Sequence, residues 1–127
     1  QPDKNATDKD YDLAVAYCVD HNIALCAGTH NEESSKLLTQ LIEKKQLDKT
    51  NSDFYFAQLL GMSDHISFNL SQNGFNVAKY VPYGPVKEVI PYLIRRAEEN
   101  TSVAGQTSRE LSLISKEMKR RSLLKKA

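Results

Sequence analysis

Three short apolar runs, each followed by a turn and a helical pattern, constrain the fold of this chain more than any other feature. The runs cover residues 23–27, 54–60 and 77–81. The first is hydrophobic throughout, as expected for a strand buried on both faces of a parallel sheet. Amphipathic helical patterns precede the first run and follow all three. This order predicts an α/β fold with a parallel sheet and right-handed crossovers, but it does not separate a barrel segment from an open doubly wound sheet.

Capping residues locate the first three helices. Thr7 opens the first predicted helix, which should end near residues 21–22. Asn31 is a good N-cap for the second helix. The third helix should begin at Ser63 or Asp64 and end before Gly74, where glycine favours a left-handed stop.

Two further helices are predicted after the third strand. The fourth contains Pro91, which lacks an amide donor, so we expect either a kink or a helix start near that residue. The last helix is predicted at residues 108–124 within a basic segment, 107–125, with Thr107 and Glu110 forming a capping box.

Charge is distributed unevenly, although the formal net charge is only +1. Residues 106–127 hold seven Lys or Arg against two Glu, a formal charge of +5, which leaves −4 for the rest. A basic end is typical of a solvated helix and is also compatible with a nucleic-acid or anionic-membrane surface. No apolar run approaches the roughly 20 residues that span a bilayer, so we expect a soluble chain. Residues 1–9 are polar and are predicted to be flexible.

Cysteine and histidine usage gives weaker constraints. Cys18 and Cys26 lie in apolar surroundings and form no CxxC pair, which favours buried reduced thiols and a reducing compartment. His21, His30 and His65 are separated by nine and 35 positions, so the sequence predicts no metal site.

Four polar residues of the fourth helix share one stripe. Tyr92, Arg95, Arg96 and Glu99 lie at i, i+3, i+4 and i+7. Two adjacent guanidiniums can hold a small carboxylate, because each presents a bidentate fork. The alternative is a solvated face with one Arg–Glu pair, worth about 0.2–0.5 kcal/mol. Spacing alone favours that alternative.

Polar side chains also follow the first predicted strand. Thr29, His30 and Asn31 offer a hydroxyl, an imidazole and an amide at the start of a helix, whose N-terminus favours negative charge. The simpler interpretation is that Asn31 only caps the helix and His30 is a hydrogen-bonded polar residue. On the residues alone, we favour the simpler one.

These stretches resemble a known family. Residues 79–85 and 92–100 resemble the C-terminal end of proline dehydrogenases, which are FAD-dependent enzymes built on a (β/α)8 barrel. Residues 28–31 are similar to an Ala-Thr-His-Asn run of that family, with Gly28 in place of alanine, and residues 56–62 resemble its next strand. The resemblance implies a C-terminal segment of a TIM-like barrel with about three βα units. Because a complete barrel needs about 200 residues or more, we expect residues 1–127 to be the C-terminal part of a longer catalytic domain.

The resemblance also implies roles for individual residues. It implies that Arg95 and Arg96 bind the substrate carboxylate. It also implies that Tyr92, Tyr80 and Leu59 line the proline ring. Glu99 would pair with an arginine and orient it. Contacts with FAD are implied at Thr29, His30, Asn31 and Gln58. Gln58 and Leu59 could equally be core residues, since the side that a residue faces alternates along a strand.

The reaction implied by the family is oxidation of L-proline to 1-pyrroline-5-carboxylate, with FAD as hydride acceptor and a quinone as later acceptor. The family's lysine and aspartate from earlier strands are not in this chain, so we expect no catalytic residue here. We therefore predict that the isolated chain binds FAD weakly or not at all and shows no turnover. Unpaired strand edges also predict that it oligomerises.

Two alternatives remain. A hydroxyproline-preferring relative is one, although the phenol of Tyr80 favours proline. A non-enzymatic module binding nucleic acid or anionic lipid through its basic last helix is the other. Since no nucleic-acid motif or aromatic interleaving is visible, we predict no nucleic-acid partner. We expect a cytoplasmic protein, or a mitochondrial one if the source is eukaryotic, with peripheral membrane contact left open.

Overall fold

The computed structural model describes residues 3–102 and 106–124, and these form five helices and three strands. The elements in chain order are α1 (Lys4–Asp20), β1 (Leu25–Gly28), α2 (Glu32–Lys44), β2 (Phe54–Leu59), α3 (Asp64–Gln72), β3 (Val77–Tyr80), α4 (Val86–Ser102) and α5 (Gln106–Leu124). The chain divides into two compact units, Gln1–Val81 and Pro82–Ala127.

The first unit is a parallel sheet with its helices. The strand order is β1-β2-β3, and both pairings are parallel. Ala27 of β1 lies opposite Phe56 of β2, and Leu59 of β2 lies opposite Tyr80 of β3. The predicted α/β class with a parallel sheet is therefore confirmed.

One face of this sheet forms the core with the first three helices. Each helix contributes apolar residues at helical spacing, and the strands contribute alternate positions. The buried members are Val15, Val19, Ala27, Leu38, Ile42, Phe54, Phe56, Ile66, Leu70 and Phe75. Phe56 and Phe75 pack edge to face, with 5.5 Å between ring centroids. Burial of each large apolar side chain contributes about 1.5–3 kcal/mol.

The opposite face of the sheet carries the alternate residues of each strand. By alternation and register they are Cys26, Gly28, Tyr55, Ala57, Leu59, Ala78 and Tyr80. Leu59 is 9% exposed but does not belong to the core cluster, whereas Tyr80 is 55% exposed. The two faces of the sheet are therefore chemically distinct.

Two boundaries in the first unit differ from the sequence prediction. Helix α1 begins at Lys4 rather than Thr7, because the Asp3 carboxylate accepts a hydrogen bond from the Ala6 amide at 2.8 Å. Residues 4–9 therefore belong to α1, and their flexibility stays a prediction. Strand β1 begins at Leu25 rather than residue 23, because the Ile23 amide donates to the Cys18 carbonyl and closes the end of α1.

The second unit consists of α4 and α5. The amides of Glu88 and Val89 donate to the Pro85 carbonyl, so α4 begins at Val86 and the predicted start near Pro91 is wrong. Helix α5 begins at Gln106 and includes residue 107. The side chains of the proposed capping box, and residue 125, lie outside the described residues.

The thiols also differ from the prediction. Both cysteines are free, but Cys18 is half-buried and Cys26 is exposed. Cys26 lies on the sheet face that the core helices leave uncovered, so the prediction that both thiols are buried is wrong. No helix of the described residues is long and apolar enough to cross a membrane.

Candidate functional site

The turns after the three strands lie at one edge of the sheet, because the strands are parallel and paired at their carboxyl ends. His30, after β1, places Nδ1 2.9 Å from the Ser63 hydroxyl, in the turn after β2. Lys79 of β3 donates to the Met62 carbonyl and to the Asp64 carboxylate, both at 2.8 Å. Polar side chains therefore connect both neighbouring strands to the turn after β2.

Asn31 forms its hydrogen bonds mainly with residues that are close to it in sequence. Its side-chain oxygen accepts a hydrogen bond from the Glu33 backbone amide at 3.0 Å and caps α2. Its backbone amide donates to the Thr29 hydroxyl at 3.0 Å. The pKa of Asp8 is lowered mainly by its hydrogen bond from Lys4, with a smaller contribution from Asn31. These bonds give Asn31 a structural role, and its contact with a cofactor stays a prediction.

Gln58 lies on the core face of the sheet and is 2% exposed. Its Nε2 donates to the Thr29 carbonyl at 3.3 Å, and its Oε1 accepts from the Ser67 hydroxyl at 2.9 Å. Both ends of this buried carboxamide are therefore hydrogen-bonded, as a buried polar group requires. Gln58 supports the main chain of the 29–31 turn, and its direct contact with a cofactor stays a prediction.

Leu59 and Tyr80, two predicted substrate contacts, are register partners on the other face of the sheet. Two residues earlier on the same face, Gly28, Ala57 and Ala78 form a row of small residues across the three strands. A Cβ added at Gly28 would meet no atom within 4 Å. The glycine in place of the family's alanine is therefore accommodated without a change to this face.

The remaining predicted substrate residues lie on α4 in the second unit. The Arg96 guanidinium lies 5.1 Å from the centroid of the Tyr92 ring, a cation–π contact worth about 0.5–1 kcal/mol. Tyr92 and Arg96 are half-buried, and Arg95 is exposed. The side chain of Glu99 lies outside the described residues. That these side chains form one substrate site with Leu59 and Tyr80 stays a prediction.

Ser63 is a residue whose role sequence reasoning missed. It was singled out only as a helix cap, yet its side chain makes no capping bond. It is 3% exposed and adopts φ 51°, a left-handed conformation that costs a non-glycine residue about 1–3 kcal/mol. Its bond to His30 joins residues 33 positions apart, and no local sequence signal announces such a pair.

A groove of about 330 Å³ between α2 and α3 is separate from these turns. Its lining residues are Glu32, Ser35, Lys36, Thr39, Glu43, His65, Ile66, Asn69, Leu70, Asn73 and Phe75. It contains none of the residues predicted to bind substrate or cofactor. Within residues 3–102 and 106–124, no group of three His, Cys, Asp or Glu side chains is placed to hold a metal ion.

Parallel βα units with polar groups at their carboxyl ends define a segment of an α/β enzyme fold. Residues 1–109 match the family model described as proline dehydrogenase. The chain therefore belongs to the proline dehydrogenase family, which confirms the resemblance seen in the sequence.

Individual relatives agree with this assignment. The chain is 45% identical over 125 residues to proline dehydrogenase 1, mitochondrial, of Bos taurus, covering 94% of the chain and 21% of that protein. It is 41% identical over 129 residues to hydroxyproline dehydrogenase of the same species, covering 97% of the chain and 28% of that protein. The chain thus spans 21% and 28% of the length of these two relatives.

A solved structure has the same fold. Proline utilization A (PutA) from Bdellovibrio bacteriovorus, described as inactivated by N-propargylglycine, matches with a TM-score of 0.67 and 28% identity. The match covers 76% of this chain and 10% of that one. Since the proline dehydrogenase domain of PutA is a TIM barrel, the three βα units here are a segment of a (β/α)8 barrel.

Proposed function

We propose that the protein containing this chain is an FAD-dependent oxidoreductase that converts L-proline to 1-pyrroline-5-carboxylate and passes the electrons to a quinone. Membership of the proline dehydrogenase family supports this proposal. The observation that carries it is the hydrogen-bonded set of turns at the carboxyl edge of a parallel sheet, because this edge is where barrel enzymes place their active sites.

The turn after β1 is suited to the uncharged polar part of a flavin nucleotide. The Thr29 hydroxyl accepts a hydrogen bond and retains its own proton for donation, and His30 adds an imidazole. Glu32 and Glu33 lie in the first turn of α2, where their carboxylates disfavour a diphosphate. Gly28 belongs to the row of small residues across the sheet, and a Cβ added there would meet no atom within 4 Å, which leaves room for a planar ring. When bound, FAD would supply the two-electron acceptor of the reaction.

The proposed substrate contacts lie at residues of each unit, as the resemblance to the family implies. Arg95 and Arg96 would bind the carboxylate, and Tyr80, Tyr92 and Leu59 would pack against the ring. Oxidation removes a hydride from the ring carbon beside nitrogen and a proton from the nitrogen, which leaves the imine. Fixing the carboxylate contributes by orienting that carbon, since placement of reacting groups lowers a barrier substantially.

The isolated chain is proposed to be inactive, because no residue in it is assigned to the chemical step and it spans only about a fifth of its proline dehydrogenase relatives. Strands β1 and β3 are edge strands of the three-stranded sheet, so their unpaired backbone groups favour self-association. Proline-dependent dye reduction by these 127 residues, or sedimentation as a compact monomer, would contradict the respective part of this proposal.

Substitution of the arginine pair tests the substrate site. In the full-length enzyme, Arg95→Ala or Arg96→Ala should lower kcat/KM for proline by on the order of 10²-fold, mainly through KM, because a charge-assisted carboxylate contact is lost. Steady-state dye reduction measures this. Arg121→Ala is the matched control, since Arg121 is an exposed arginine of α5 that bonds Glu117. Equal kcat/KM in all three variants would show that the arginine pair of α4 does not bind the substrate.

Hydroxyproline is the second candidate substrate, because the chain is 41% identical to a hydroxyproline dehydrogenase. The phenol of Tyr80 favours proline. We expect a higher kcat/KM for L-proline than for hydroxyproline, measured side by side on the full-length enzyme. The reverse order would assign the protein to the second activity while leaving the flavin site unchanged.

The basic last helix is proposed to contact a membrane surface peripherally rather than nucleic acid. Glu117 is hydrogen-bonded by Arg120 and Arg121 at 2.7–2.8 Å, which neutralises part of the positive charge of α5 within the helix. The eukaryotic proline dehydrogenase relatives carry mitochondrial names, and we propose that location for a eukaryotic source. A steep salt dependence of DNA binding would instead support a nucleic-acid partner.

A further inference from the structure

The hydroxyl of Ser63 is buried and faces His30 across two turns. Ser63 is 3% exposed, and its oxygen lies 2.9 Å from Nδ1 of His30. Its side chain does not cap α3, although it occupies the N-cap position. Its φ of 51° would be relaxed by glycine, as at Gly61, where φ is 80°. The serine is thus placed in an unfavourable backbone conformation with its hydroxyl directed at an imidazole.

We propose that Ser63 is a positioning residue for the cofactor turn and that it acts by fixing the orientation of the His30 ring. This inference rests on the proposed function, in which His30 contacts FAD. An imidazole rotates broadly about its second side-chain torsion. A hydrogen bond between Nδ1 and the Ser63 hydroxyl selects one orientation of the ring, and thereby sets where Nε2 points.

The neighbouring hydrogen bonds separate the role of Ser63 from general support of the turn. Gln58 donates to the Thr29 carbonyl and is itself bonded by Ser67, so the main chain of the turn is held independently. Lys79 bonds the Met62 carbonyl and holds the segment that carries Ser63. Removing the Ser63 hydroxyl therefore removes this hydrogen bond to the His30 ring and leaves the backbone hydrogen bonds of both turns in place.

The test is a double-mutant cycle on FAD affinity in the full-length protein. Apo-protein is titrated with FAD, and flavin fluorescence is followed for wild type, Ser63→Ala, Ser63→Gly, His30→Ala and the Ser63→Ala/His30→Ala double variant. Both Ser63 substitutions remove the hydroxyl, but only glycine relaxes the backbone. We expect both to raise Kd for FAD about tenfold, equal to about 1.4 kcal/mol. The double variant should match His30→Ala alone, because Ser63 acts through His30.

Other outcomes separate the two hypotheses. If His30→Ala weakens FAD binding but Ser63→Ala does not, or if the two effects add, the positioning role is wrong and the flavin site stands. If Ser63→Ala weakens binding and Ser63→Gly does not, the effect comes from the backbone and the positioning role is again wrong. If His30→Ala leaves Kd unchanged, the proposed flavin contact fails together with this inference. Thermal unfolding of each variant identifies any that are misfolded, and Ser63→Gly keeps the test decisive if the alanine variant is unstable.

Discussion

The two units of the chain bury their apolar residues to very different degrees. In Gln1–Val81, helices and strands enclose a common core in which Leu38 is 0% exposed. In Pro82–Ala127, most of the large apolar side chains that the structure describes on α4 and α5 are exposed, although Val89 is half-buried, and Leu93, on the same helix as the arginine pair, is 44% exposed. Hydrophobic burial therefore stabilises the first unit, whereas it contributes less among the described residues of the second.

This difference bears on the residues predicted to bind cofactor and on the substrate residues of α4. Three of the four predicted cofactor residues lie in the turn after β1, the fourth is Gln58 of β2, and hydrogen bonds within the packed unit hold them. The predicted substrate residues Arg95, Arg96 and Tyr92 lie on a helix with a partly exposed apolar face. We therefore expect substitutions to change stability strongly in the first unit and weakly in the second.

The largest expected effect comes from truncating matched leucines in the two units. Leu38→Ala should lower the free energy of unfolding by about 2–5 kcal/mol, because it leaves a cavity in a closed core. Leu93→Ala should cost less than about 1 kcal/mol, since its side chain is already partly in water. Urea denaturation followed by circular dichroism measures both. Equal costs for the two leucines would refute the contrast between the units.

An intermediate effect is expected at the buried carboxamide of the first unit. Gln58→Leu should cost about 1–3 kcal/mol, because it leaves the Thr29 carbonyl and the Ser67 hydroxyl without this partner in the interior. Gln72→Leu is a suitable control, because Gln72 is exposed at the end of α3 and should change stability by less than about 0.5 kcal/mol. Thermal or urea unfolding of both variants gives the comparison. An unchanged free energy of unfolding in Gln58→Leu would show that the polar cluster does not hold the turn.

The smallest effect concerns the second unit and depends on pH. Hydrogen bonds from Arg120 and then Arg121 lower the pKa of Glu117 from 4.5 to about 2. Because the folded pKa lies below the unfolded one, this stabilisation is present above pH 4.5 and is lost as the pH falls toward 2. Carboxyl NMR titration should show the low pKa, and high salt should weaken it because the group is exposed. Acidification should lower the helicity of α5, and Glu117→Gln should abolish the part of this loss that comes from Glu117. A titration of Glu117 without a lowered pKa would contradict the prediction.

Much of the fold could be predicted because its signals are local. Alternating apolar runs and helical patterns located every strand and helix, and Gly74 adopts the left-handed conformation expected at the end of α3. The start of α1 was misplaced because Asp3 supplied a cap that competes with Thr7. Cys26 was misjudged because an apolar strand does not reveal which of its faces a helix covers.

The site was less accessible to sequence reasoning. The stretches at residues 28–31, 56–62, 79–85 and 92–100 indicated the family, and the family matches confirm that identification. The bonds that connect the turns, such as His30 to Ser63, join residues far apart in sequence and need the fold to bring them together. Whether Gln58 or Leu59 faces the core depends on strand register, which spacing alone leaves open.

The register of β2 makes this strand sensitive to the insertion or deletion of a single residue. Gln58 holds the turn after β1 from one side of the sheet, while the adjacent Leu59 lies beside Tyr80 on the other. A single-codon deletion before Gln58 that shifted β2 by one place would put Leu59 in the place of Gln58 and Gln58 in the place of Ala57. The leucine would then enter the polar cluster, and the carboxamide would enter the row of small residues on the other face of the sheet. Homologous proteins should therefore tolerate insertions and deletions in the loop at residues 48–53 far better than within the strand itself.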